Sequence, residues 1–420
     1  MPATLVSGGT YLFEIDTGFG DGFTLDDTQQ GILNGTTYVL DGVDSYSDIS
    51  SQVQTARIFR GRRTDLESIQ PGTLVINAID PARNFDPYNE DSIYYDEFDD
   101  TPGLSPLRQI RVSRNGEYLY KGRVVDFAYS YGSKPGELPR VVITCADDLF
   151  LLANTRLSAF TPSAELSSAR VTTILDRPEV DYPAATRDIE TGTTTLGAYA
   201  IAEGTSALEY LRKVQTAEQG RLFVSRDGDL AFDARVGATL SGPSVVFSDV
   251  AGSGDTPYRG LGIDYSTEDV INRVVVQRTG GTAQTEEDLA SQALYQIQAY
   301  TITDSLLSTD AQADALALYL LAPTPEPRFS SLVVDLYPLD AGDKTAVAEL
   351  EIGDTVEITK SYATGSPATV TEELAVEGIE HLISTAGHTI TLYTAPTTVV
   401  YALLLDDAEF GILDADNVLT

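Results

Sequence analysis

The chain is poor in most residues that cross-link proteins or carry out catalysis. Among its 420 residues there is one cysteine, Cys145, so no intrachain disulfide can form; packing alone must hold the fold, as suits assembly in a reducing cytoplasm. Tryptophan is missing, which weakens any claim to a tryptophan-platform sugar binder. Only two histidines occur, His381 and His388, whereas a catalytic zinc normally takes three protein ligands. Basic residues are scarce: Lys+Arg 27 against Asp+Glu 63 gives a net charge of −36. A field of that sign repels phosphate backbones, so DNA is expected to pass without specific binding. The longest apolar run, VVYALLL at 399–405, is far shorter than the ~20 residues that span a bilayer. The start MPATLVSGG has no basic region before an apolar core, so neither a membrane anchor nor a signal peptide is expected.

What is present is the composition of a folded protein, with 42% hydrophobic residues, 22 tyrosines and 14 phenylalanines. The length allows two to four domains of roughly 100 to 200 residues. Residues 1–150 read as a first antiparallel β domain. GTLVINAID at 72–80 alternates, LRQIRVSR at 107–114 meets EYLYKGRVVDF through Asn115-Gly116, and LPRVVITC at 138–145 adds another strand. Residues 151–259 read as α+β. There SALEYLRKVQTAEQG starts with a capping box, Ser206 and Glu209, places Leu208, Leu211 and Val214 on one face, and leads into a hairpin turned by Asp227-Gly228. Residues 260–400 read as a second β domain built from INRVVVQR, SSLVVDLY, LEIGDTVEI, ELAVEGIEHLIS and HTITLY. A helix near 309–321 interrupts it, capped by Ser308 or Thr309 and ended by Pro323. Residues 401–420 form a C-terminal extension.

The motifs of enzymes and cofactor sites do not assemble. Glu377 and Glu380 stand in a strand rather than in HExxH on a helix, so His381 and His388 read as structural, and Cys145 ends an apolar strand as an inert thiol. The glycines of Gly18-Phe19-Gly20-Asp21-Gly22 lack both the dinucleotide spacing and a Walker lysine. The acidic stretch from Asp86 to Asp100, with Asp91, Asp96, Glu97 and Asp99, lacks the spacing of a calcium loop and reads as a solvated loop; Asp414-x-Asp416-Asn417 is incomplete in the same way. GxSxG does not occur, and nothing selects a glycosidase carboxylate pair. No catalytic, cofactor or metal residue is expected, and the chain is not expected to be an enzyme.

Two features point to assembly instead. Arg57, Arg60, Arg62 and Arg63 gather in RIFRGRR, and in so acidic a chain the favoured reading is a contact with carboxylates of a neighbouring subunit, the other being a role within its own domain. The pattern Leu25-Asp26-Asp27-x-x-x-Gly31-Ile32-Leu33 recurs as Leu405-Asp406-Asp407-x-x-x-Gly411-Ile412-Leu413. Asp26, Asp27, Gly31, Asp406, Asp407 and Gly411 are either turn residues or a docking motif used twice.

In order along the chain, RIFRGRRTDLESIQPGTLVINAIDPARNFDPYN, LRQIRVSRNGEYLYKGRVVDF, TSALEYLRKVQTAEQGRLFVSRDGDLAF, INRVVVQR, DALALYLLAPTPEPRFSSLVVDLY, LEIGDTVEI and VEGIEHLIS resemble the hub, or minor tail, proteins of long-tailed bacteriophages. That group includes the N-terminal part of tail-associated lysins and the central baseplate hub of contractile phages. The resemblance covers nearly all of the chain, and the LDD-x-x-x-GIL ending is of a kind seen in minor tail proteins. It implies a mainly β fold with α+β insertion: two tail-tube-like antiparallel β-barrels joined by smaller α+β domains. It further implies a homotrimer at the tail tip of the virion, assembled in the host cytoplasm and joining the sixfold tube to the threefold tip as part of the DNA conduit. The partners it implies are a distal tail protein ring, the tape-measure protein end, and a central fibre or other minor tail proteins. The chain stops at Thr420, which leaves no room for the lytic domain of the lysin-bearing members, so cell-wall cleavage is not expected of it. The alternative is a host-surface, polysaccharide-binding tail fibre or receptor-binding protein.

Overall fold

The structure is a computed structural model that describes residues 3–4, 9–17, 46–64, 68–96, 101–132, 137–235, 243–250, 252–396, 401–402 and 417–418. The repeated Asp-Asp and glycine residues Asp26, Asp27, Gly31, Asp406, Asp407 and Gly411 lie outside the described residues, as do Gly18–Gly22, Glu97, Asp99, Asp100 and 414–416. The fold is mainly β with an α+β insertion. Its centre is one 14-stranded sheet to which both ends of the described chain contribute.

The first half of that sheet is made by β1 (Thr10–Asp16), β2 (Val53–Gly61), β3 (Thr73–Ile79), β4 (Gln109–Arg114), β5 (Glu117–Ser130) and β6 (Arg140–Ala146). Their alternation decides which face is buried: Leu74, Ile76 and Ala78 of β3 and Val141, Ile143 and Cys145 of β6 all point into the core. Each fully buried aliphatic side chain there contributes about 1.5–3 kcal/mol. Asn115 and Gly116, both at positive φ (54° and 97°), turn β4 into β5 as the Asn-Gly pair requires.

A smaller α+β unit follows. It holds α1 (Leu149–Asn154), α2 (Ser167–Leu175) and α3 (Ala207–Glu218), with β7 (Arg221–Val224) and β8 (Leu230–Asp233) as a hairpin. Ser206 accepts a hydrogen bond from the Glu209 amide, which is the Ser206 half of the expected capping box. α3 ends on a left-handed residue, Gln219, directly before Gly220. Gly220 serves a different need, since a Cβ there would lie 2.2 Å from the Asp233 carbonyl oxygen of β8.

The second half of the sheet comprises β9 (Val245–Ser248), β10 (Gly260–Asp264), β14 (Arg328–Asp335), β15 (Thr355–Ser361), β16 (Thr369–Ser384) and β17 (Gly387–Pro396). Between β10 and β14 lie β11 (Arg273–Arg278), β12 (Gln284–Glu287), β13 (Ala299–Ser305) and α4 (Asp310–Tyr319). A complete capping box of Thr309 and Gln312 starts α4. Between β14 and β15 sits α5 (Ala341–Ala348).

The buried cores divide the chain differently from the blocks 1–150, 151–259 and 260–400. One core joins residues between Tyr11 and Cys145 with residues between Val245 and Leu392, so Val245 and Phe247 of β9 belong to the large sheet. The other joins the α+β unit to Ile271, Val274, Val276, Ile302, Ala313 and Leu316. The segment 271–322 is thus packed on the middle unit. Its strands have the same alternation as sheet strands, and alternation reports that a face is buried without reporting against what.

Strand order relates the two halves. The first runs β1-β4-β5-β6-β3-β2 across the sheet and the second β9-β15-β16-β17-β14-β10. Two further short strands of the first half, Ala3–Thr4 and Tyr46–Asp48, pair with β1 and complete the fourteen; numbering the six longer strands of each half one to six, both read 1-4-5-6-3-2. All neighbouring pairs are antiparallel except β9 with β15. The halves meet where β2 pairs with the C-terminal part of β16, from Gly61 opposite Gly378 to Thr55 opposite Ser384.

Candidate functional site

The RIFRGRR segment lies at this junction between halves. Along β2 the inward positions are Ala56, Ile58 and Arg60, so the third inward side chain is a guanidinium at the end of an apolar row, only 2% exposed. Arg60 Nη1 donates to Glu351 Oε1 at 2.5 Å and lies 3.4 Å from the Val224 carbonyl oxygen. The other Glu351 oxygen accepts the Arg226 amide at 2.8 Å, so one carboxylate ties the large sheet to the β7–β8 hairpin.

Gly61 and Gly378 make the close approach possible. Gly61 has φ +91°, and a Cβ on it would sit 2.2 Å from the Glu377 carbonyl oxygen; a Cβ on Gly378 would sit 2.3 Å from that of Arg62. Glu377 is the extra residue of a β-bulge in β16, between Val376 opposite Thr394 and Gly378 opposite Tyr393. Bulges re-aim a side chain. Here the Glu377 carboxylate receives Arg62 Nε at 2.7 Å and Arg221 Nη2 at 2.6 Å. Burial works to raise the pKa of Glu377, but Arg221 and Arg62 together hold it below the ordinary carboxylate value. Arg57 forms a two-pronged contact with Glu380, both bonds 2.9 Å, while Arg63 lies over the rings of Phe59 and Tyr393.

Sequence reasoning expects the partners of these arginines in a neighbouring subunit. The structure provides them within the chain: Glu380 for Arg57, Glu351 for Arg60 and Glu377 for Arg62. Arg60 in particular is enclosed and unavailable to a neighbour. The residues missed are Glu351, Glu377 and Arg221. Gly378 did leave a trace in the sequence, as a glycine inside a strand, which is the mark of a bulge or a close backbone approach.

The other candidates are also accounted for structurally. His381 Nδ1 lies 3.0 Å from His388 Nε2, and His388 Nδ1 lies 2.9 Å from the Tyr11 hydroxyl, all buried. Two neutral rings satisfy this chain, because each imidazole then has one N–H to donate and one nitrogen to accept, and the tautomers set the direction in which the bonds run. Burial holds both histidine pKa values down, His388 to about 3. Cys145 is buried, and burial pushes its thiol well up. Asp80 accepts the amides of Asn84 and Phe85, and Asp86 accepts that of Tyr88 and pairs with Arg83, so the front of the acidic stretch is a run of turns bonded to itself. Among the described residues no group of three His, Cys, Asp or Glu side chains is placed to hold a metal ion, and no helix is long and apolar enough to cross a membrane.

No family model matches the chain, and no curated protein matches it by sequence. Among solved structures, the tail protein from Neisseria meningitidis MC58 is similar at a TM-score of 0.58 and 10% identity, over 85% of this chain and 95% of that one. The 43 kDa tail protein of prophage MuSo2 from Shewanella oneidensis is similar at a TM-score of 0.54 and 13% identity, over 84% of this chain and 96% of that one. The likeness is one of fold: the chain is folded like these phage tail proteins.

Proposed function

We propose that this chain is a structural protein of a phage-type tail, a hub at the tail tip in which three copies form a ring. The observation that carries the reading is the strand order 1-4-5-6-3-2 occurring twice in one chain. A protein with two equivalent sheet halves presents six such units per trimer, which is what a joint between a sixfold tube and a threefold tip requires. Each half would close as a barrel-like unit, and the ring would surround the path of DNA. The charge of −36 suits a conduit, since a wall that neutralised phosphates would gain affinity by counterion release and hold the DNA. The role is structural rather than enzymatic, with a distal tail ring, the tape-measure end and a central fibre as neighbours.

Copy number in purified tail particles tests this. Three copies per tail are expected, at the tip; a chain found along the whole tube, or missing from the particle, contradicts it. A second reading rests on one observation. Tyr88, which is 89% exposed, lines an open depression with Tyr129 and Tyr131, the kind of aromatic surface a polysaccharide could use. Binding of host-surface glycans that is lost in Tyr88→Ala would favour that role.

A further inference from the structure

The repeat extends to register, and the register shows where one copy should meet the next. β5 pairs with β4 through residues 117–123 and with β6 through 123–130; β16 pairs with β15 through 369–375 and with β17 through 374–384. Both long strands carry a bulge at the handover, Val125 in β5 and Glu377 in β16, and β5 has a second one at Leu119 opposite β4. Following the pairing across each half, the row Asp126, Thr144, Val75, Arg57 corresponds to the row Gly378, Tyr393, Ser331, Gly262.

One edge breaks the equivalence. In the second half, the free side of β16 after the bulge is covered by β2 of the first half. In the first half, no strand among the described residues pairs with the corresponding side of β5 after Val124, and none pairs with the outer edge of β10, the counterpart of β2. We propose that these two edges join between copies: β10 of one chain adds to residues 126–130 of β5 in the next chain, repeating between subunits the junction that β2 and β16 make within one. This rests on the trimeric reading above and gives it a specific contact. In the repeated register, Gly262 faces Ser130 and Asp264 faces Ala128 of the neighbour, as Arg57 faces Leu382 and Phe59 faces Glu380 within the chain.

The occupant is a second copy because the chain already contains the joint it would make. The contact is head-to-tail, and such contacts close into rings when the rotation permits; two of the six units, and one joint between units, are built into each chain. Surface chemistry agrees at both ends. Ile263 is 46% exposed and Tyr265 67% exposed at β10, while Tyr131 is 50% exposed at the end of β5, beside the depression lined by Tyr88 and Tyr129. An unpaired edge flanked by exposed apolar side chains is a template for another strand, and adding one satisfies its backbone groups.

Disulfide trapping tests the register in the full chain. Cys145 is buried, so the double variant Ala128→Cys/Asp264→Cys carries the accessible thiols, at two exposed positions. Oxidation is expected to give covalent dimers and trimers on a denaturing gel without reductant, and neither single variant should give trimers. If the parent has trimeric mass but the double variant does not cross-link, this interface is overturned and the trimer stands. Cross-linked ladders that run past the trimer keep the edge contact and overturn threefold closure. A monomeric parent overturns both. Ile263→Lys gives an independent reading: a charge on the edge should abolish the trimer with an unchanged circular dichroism spectrum, and a trimer that survives it contradicts the proposal.

Discussion

The two halves of the large sheet share a strand order but hardly any residues at equivalent positions: Val75 stands where Ser331 does, Thr144 where Tyr393 does, and Val125 where Glu377 does. What both keep is the alternation of buried and exposed positions, the long fifth strand and its bulge. Strand order therefore follows from the pattern of burial and the position of the turns more than from residue identity. The halves differ in three places. The first and fourth strands are antiparallel in the first half and parallel in the second; the connection between second and third strands is short in the first half and holds β11 to α4 in the second; and only the second half has its bulge residue charged and enclosed by arginines.

The largest test of this contrast compares the two bulges. Glu377→Ala leaves Arg62 and Arg221 without their shared carboxylate in a mostly buried setting, an expected loss of about 3–5 kcal/mol in urea unfolding. Val125→Ala at the equivalent position should cost about 1 kcal/mol or less. Similar losses from the two would mean that the bulge itself, rather than the ion cluster, carries the stability.

Gly61→Ala is expected to cost about 2–3 kcal/mol, because the new methyl group meets the Glu377 carbonyl at a positive φ. Unfolding midpoints that stay unchanged would show that β2 and β16 can separate without loss.

The buried histidines distinguish the second half in another way, since His381 corresponds to Tyr129 in the first. An unfolded histidine titrates near 6.5, whereas folding lowers the His388 value to about 3 through burial and then Arg114. Between these values the unfolded chain binds more protons, so the contribution of His388 is complete above about pH 6.5 and is lost as pH falls toward 3. Asp147 and Asp233, both raised to about 7 chiefly by burial, oppose this: they favour the folded chain increasingly as pH falls below 7. His388→Gln should therefore cost about 1–2 kcal/mol at pH 8 and less at pH 5. A cost that is the same at both would contradict a neutral buried pair.

The smallest effect concerns the segment inserted between β10 and β14. Thr309→Ala removes the cap of α4 and is expected to cost about 1 kcal/mol. Hydrogen exchange should rise in the middle unit, whose core this helix completes, more than in the large sheet. The reverse pattern would place 271–322 with the sheet after all.

Local chemistry was readable in the sequence wherever neighbours along the chain decide it. Asn115-Gly116 marks its hairpin, Ser206 and the pair Ser308-Thr309 mark helix starts, the alternation at 72–80 marks a strand buried on one face, and the apolar run at 138–145 marks another. The arginines of RIFRGRR stand out in the sequence as a cluster, but the partners of Arg57, Arg60 and Arg62 lie roughly three hundred residues away in Glu380, Glu351 and Glu377, and no local pattern encodes such a pairing. The same holds for 271–322: its strands looked like sheet strands because they are, and only the packing shows which core they complete.

The claim that two equivalent halves form six units in a ring is tested most directly by the mass of the full chain in solution. Native mass measurement across a range of concentrations is expected to show three times 45.2 kDa, lost on Ile263→Lys. A parent chain that remains at 45.2 kDa at every concentration would contradict it.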